Sequence, residues 1–212
     1  MEAGDKNLWL RRARWLVQGT MVYNLAEAGV AIGSGIAAGS IALIGFGLDS
    51  VIELCAATLL LWRLRVQARG ADAERVERTE RTVRRFVGLT FFALALYVLI
   101  QSAWTLWQKD APGESMVGIA LAALSLVVMP LVSWGKLKAA RVLGSAALRA
   151  EAKETLACAY LSFTLLAGLV ANAALGWWWA DPVAALLMVP WLIKEGVEGV
   201  RGEEDEDDED EG

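Results

Sequence analysis

Stretches almost free of charge recur along the whole length of this chain. Six can be delimited, at about 15–33, 38–62, 86–107, 116–134, 147–174 and 177–198. A helix needs about 20 consecutive apolar residues to cross the hydrocarbon core of a bilayer, and these stretches approach or exceed that length. In hydrocarbon every backbone N–H and C=O must be satisfied within the protein, so spans of this kind are helical. The pattern predicts an all-α, polytopic membrane protein with six transmembrane helices. Composition agrees. Of 212 residues, 56% are hydrophobic, above the roughly 45–50% of an ordinary globular chain. A large soluble helical bundle is the competing fold, and the scarcity of charge in the six stretches argues against it.

The basic residues orient the spans. Lys6, Arg11, Arg12 and Arg14 precede the first, and Arg63, Arg65, Arg69, Arg75, Arg78, Arg81, Arg84 and Arg85 follow the second. Lys136, Lys138, Arg141, Arg149 and Lys153 follow the fourth, and Lys194 and Arg201 close the sixth, which leaves only Lys109 for the opposite side. Positive charge accumulates on the cytoplasmic side. The expected organisation is a cytoplasmic N-terminus (1–14), a membrane domain (15–200) and an acidic cytoplasmic tail (201–212), in the inner (plasma) membrane of the cell. The net charge of -5 comes from that tail, since "EEDEDDEDE" (203–211) holds nine of the 25 acids. "AEA" (26–28) has the form of a signal-peptidase site, but Gln18, Asn24 and Glu27 make a poor apolar core for a signal peptide.

Within this apolar setting, "GFGLDSVIEL" (45–54) puts Asp49 and Glu53 four residues apart, on one face of a helix. Glu154 and Cys158 repeat that spacing in the fifth span. Tyr23, Asn24 and Glu27 add polar groups to the first span, and Asp181 opens the sixth. A charge at the centre of a membrane helix costs on the order of 2.5–3.5 kcal/mol on insertion scales. Such acids are expected to face a wet cavity, hold a proton or share a cation.

The two halves of the chain also resemble each other. "GSIALIGFGLDSVIEL" (39–54) aligns with "GSAALRAEAKETLACA" (144–159) at one constant offset, which matches Asp49 to Glu154 and Glu53 to Cys158. With span two running inward and span five outward, the copies are inverted. Inverted repeats with a site at their interface are a common transporter plan. Asp49, Glu53, Glu154 and Cys158 form the predicted metal site, with Glu27, Asn24 and Asp181 as accessory ligands or proton carriers. Thiolate favours borderline or soft ions such as zinc or cadmium, while carboxylates also suit manganese, magnesium or calcium.

Other functions find little support. The chain has no histidine, and it shows no nucleophile–base pair and no phosphate-binding glycine loop, so it is not expected to be an enzyme or to hold a resident cofactor. The arginines of 63–85 alternate with acids, as on a solvated helical face, so no nucleic-acid partner is expected. Cys55 and Cys158 both lie in apolar segments and suggest no disulfide framework.

The residues "YNLAEAGVAIGSGIAAGSIALIGFGLDSVIE" (23–53), "GSAALRAEAKETLACAYLS" (144–162) and "ADPVAALLM" (180–188) resemble the cation diffusion facilitators, proton-coupled exporters of zinc and other divalent metals. The resemblance implies six spans with both termini inside. It also implies ligands spaced i and i+4 on spans two and five, onto which Asp49, Glu53, Glu154 and Cys158 fall. Glu154 and Cys158 depart from the usual His/Asp and Asp. The shorter branch of the family, without a cytoplasmic C-terminal domain, is the nearest in form. The implied function is efflux of a divalent cation, zinc foremost and manganese, cadmium or iron besides, in exchange for protons, by a homodimer in the lipid bilayer. A membrane protein that binds such cations to buffer or sense them, without transport, is the alternative.

Overall fold

A computed structural model of the chain describes residues 3–68, 73–109, 112–144 and 146–201. All regular elements there are α-helices: α1 (Ala3–Ala38), α2 (Ile41–Ala68), α3 (Ala73–Gln108), α4 (Met116–Leu143), α5 (Ala146–Leu175) and α6 (Ala180–Arg201). Each apolar stretch is carried by one helix, and most helices run past it. Polar sequence continues the same hydrogen-bond ladder once nucleated, so α1 begins well before residue 15 and α3 takes in the charged segment from Ala73. The acidic tail, from residue 202 on, lies outside the described residues.

Short connections make successive helices antiparallel neighbours, except that α3 and α4 are not packed together. α1 packs on α2 and α4 on α5, α1 also meets α4, and the four surround a polar interior. α3 and α6 pair with each other and lie against this group through α2 and α5. The α3–α6 contact is close: a Cβ on Gly88 would stand 2.9 Å from the Gly196 carbonyl oxygen. Small residues that let backbones meet are the usual means of helix association in membranes. Phe46, Leu43, Val98, Met129, Leu165 and Met188 fill the core. The outer surface carries Trp104, Val127, Leu131, Trp134 and Phe163, all exposed, as befits helices facing lipid.

By length and composition, five helices are able to cross a membrane, and α6 is the exception. Asp181 at its start and Lys194, Glu195 and Glu198 near its end leave no long window low in charge. Its apolar stripe of Ala184, Ala185, Met188 and Leu192 is nevertheless buried in the bundle. Pro190 lies within this helix, and in the turn it loosens the Tyr160 hydroxyl donates to the Leu187 carbonyl at 3.0 Å.

The two halves share a start signal. Gly39 (φ 67°) and Gly144 (φ 63°) are both left-handed, a conformation cheap only for glycine, and α2 and α5 begin two residues after each. At the head of α2, Ser40 Oγ accepts from the Leu43 N–H at 3.1 Å, an N-cap bond. Asp181 reinforces it from α6: one carboxylate oxygen accepts from the Ser40 hydroxyl, the other from the Ile41 N–H at 2.9 Å.

Asp181→Ala would leave the first N–H groups of α2 buried without acceptors, at an expected cost of about 1–3 kcal/mol. A lowered unfolding midpoint in detergent is expected. An unchanged midpoint would mean that this cap adds nothing to stability.

Candidate functional site

The polar side chains singled out from the sequence separate into three places. The first is a cleft of about 300 Å³ between α2, α3, α5 and α6, lined by Asp49, Glu53 and Glu154 together with Glu195, Phe91 and Trp191. α2 supplies Asp49 and Glu53 on one stripe, α5 brings Glu154 from the opposite direction, and α6 adds Glu195. Asp49 is only 2% exposed, and among the described residues no hydrogen bond or ion pair reaches it. The charges acting on it are Glu195, Glu27 and Glu154, all acids. Glu53 is half-buried and accepts from Asn24 Nδ2 at 2.9 Å. The Asn24 Oδ1 atom is buried with no partner.

The second place is the polar interior of the α1, α2, α4 and α5 group, centred on Glu27. This carboxylate is buried and accepts from Ser50 Oγ at 2.8 Å and, through its other oxygen, from Ser125 Oγ. The Tyr23 hydroxyl lies 2.7 Å from Ser125 Oγ. Cys158 turns here and not to the cleft, with its thiol 4.0 Å from Glu27 Oε2. Four residues advance a helix by 400°, so Cys158 lies about 40° around α5 from Glu154, enough to face a different neighbour.

The third place holds Asp181 alone, occupied in capping α2 and absent from the cleft wall. The structure thus brings Asp49, Glu53 and Glu154 together, places Asn24 and Glu27 behind them, and keeps Cys158 and Asp181 apart. Among the described residues, no three Asp, Glu, Cys or His side chains converge tightly enough, as they stand, to hold one ion.

Two participants escaped the sequence reading. Glu195 sits in "IKEGVEG", where it looks like one more surface charge beside Lys194 and Glu198. Lys136 was counted with the cytoplasmic bases, yet its side chain is wholly buried on α4, bonded to Glu151 at 2.9 Å and to Thr155 at 3.0 Å. Its place on the inner face of α4, in helical register with the buried Met129 and Ser133, is the signal that could have shown it.

Ser125→Ala would remove the hydroxyl joining Tyr23 to Glu27. A loss of about 1–2 kcal/mol is expected for stranding such buried groups, read as a lower unfolding midpoint in detergent. No change would mean that the network is not under load.

Comparison with known proteins locates this architecture. The family described as the cation efflux transmembrane domain matches residues 20–201. The uncharacterized transporter sll1263 of Synechocystis sp. is 27% identical over 165 residues, which cover 76% of this chain and 53% of that protein. The chain therefore spans about half the length of this curated relative. The match to the family reaches from within α1 to the end of α6 and takes in every residue of the cleft: the chain belongs to the cation efflux family of membrane transporters.

Proposed function

We propose that this protein exports a divalent metal cation, zinc first among them, in exchange for protons, by alternating access of the cleft. The observation that carries this reading is Asp49: a buried carboxylate with no hydrogen bond or ion pair among the described residues, set in a cleft wall with Glu53, Glu154 and Glu195. Leaving such a group unpaired in an apolar surround is costly. A cation or a proton relieves that cost, and alternation between the two is what an exchanger requires. The orphan oxygen of Asn24 beside Glu53 is one further neutral donor for a metal.

In this reading the cation enters from the cytoplasm, at the end of the bundle where α5 begins and α6 ends. Metal ligands must be deprotonated to bind, so arrival of the ion releases protons from the cleft carboxylates. Closing on the ion draws Asp49 and Glu53 of α2 toward Glu154 of α5. Opening to the other side admits protons that compete the ion away. Cys158 joins the ligands only if its side chain turns from Glu27 toward the cleft, the one rearrangement that a preference for zinc or cadmium asks for. Both termini lie in the cytoplasm, the protein resides in the cell membrane, and it works as a homodimer.

Everted membrane vesicles with an acidic interior test the proposal. Zinc uptake driven by the gradient is expected from the wild type, and Asp49→Ala and Glu154→Ala should each abolish it while still inserting in the membrane. Normal uptake by either variant would remove that residue from the site. Binding of zinc with no uptake by the wild type would favour a buffering or sensing protein instead.

A further inference from the structure

Lys136 is a wholly buried lysine, with none of its surface exposed. Its ammonium donates to Glu151 Oε1 at 2.9 Å and to Thr155 Oγ1 at 3.0 Å. Thr155 in turn donates to the Glu151 carbonyl at 2.9 Å, and Ser133, one turn back on α4, donates to the Ala152 carbonyl at 2.7 Å. Glu151 is itself 7% exposed, and its Oε2 has no hydrogen-bond partner. Taking two charges out of water costs about as much as their attraction returns, so well-packed apolar residues would hold α4 to α5 at least as well. The pair therefore calls for a reason other than stability.

Its position supplies one. Thr155 is next in sequence to Glu154 of the cleft, and Glu151 lies three residues before it. Lys136 is the one cation among the charges acting on Glu53. We propose that Lys136 and Glu151 are a resident pair of opposite charges that sets how tightly the cleft holds a divalent cation. The ammonium tempers the field of the clustered carboxylates, so an arriving ion is bound but can still leave, and Glu151 keeps the ammonium from repelling the ion outright. This inference rests on the cleft being the exchange site.

The pair has a signature that a plain clamp lacks, because its two members act with opposite sign. Lys136→Gln leaves the anion of Glu151 uncompensated beside the cleft, and Glu151→Gln leaves the cation. Zinc binding to the full-length protein in detergent, measured by calorimetry at pH 8 where protons compete least, separates the cases. Lys136→Gln is expected to tighten binding roughly tenfold and Glu151→Gln to weaken it roughly tenfold. The double variant, which restores the net charge, should return close to the wild-type affinity. Shifts of both single variants in the same direction, or a double variant worse than either, would overturn the proposal and leave a structural clamp. Absence of zinc binding by the wild type would instead overturn the assignment of the cleft, and the proposal with it.

Discussion

A carboxylate inside an apolar bundle must find a donor, a cation or a proton, and the arrangement of these six helices follows from how each acid meets that demand. Asp181 takes the Ser40 hydroxyl and the N–H groups at the head of α2. Glu27 takes the hydroxyls of Ser50 and Ser125 from two different helices. Glu151 takes the ammonium of Lys136. Glu53 has the amide of Asn24, and Asp49 has no partner among the described residues. The bundle is thus knit by acids whose needs are met locally, and it leaves a deficit at one place. Where the deficit falls, the helices part into a cleft.

Much of the fold was legible because the two signals that define it are local. Apolar length marks a membrane helix, and glycine marks the turn that ends one, as at Gly39 and Gly144. The i, i+4 spacing placed Asp49 and Glu53 on a common stripe, and the repeat pointed to Glu154. What could not be read depends on rotation about a helix axis. Cys158 shares a stripe with Glu154 in projection, yet the twist between them turns it to Glu27. Lys136 follows an apolar stretch as a cytoplasmic anchor would, and only the direction it points makes it an interior group. Glu195 was hidden by its neighbours Lys194 and Glu198, which pair with each other at 3.1 Å on the exposed face of α6. Asp181 was recognised as unusual, but a lone acid at a helix start is equally suited to a ligand or a cap, and only the approach of α2 decides.

The repeat also shows how two similar helices come to serve different ends. α2 and α5 start from the same left-handed glycine and run antiparallel through the bundle. Where α2 carries Asp49 and Glu53, α5 carries Glu154 and Cys158, and it adds Glu151 at a position where α2 has Phe46. Phe46 is fully buried among apolar neighbours. One half has thus been filled with hydrocarbon at the point where the other holds an ion pair. The departure from symmetry lies beside the cleft, since Glu151 is three residues before Glu154.

The Asp181 cap has a mechanical side. It fastens the head of α6 to the head of α2, at the end of the bundle remote from Glu195. Fourteen residues of helix separate Asp181 from Glu195, about 21 Å along the axis. A helix pinned at one end behaves as a lever: a swing of about 10° about that point moves the far end by about 4 Å. α3 is packed on that arm, where Gly88 meets Gly196. A fastening at that end of the bundle therefore leaves the opposite end, where Glu195 lies, the freer of the two.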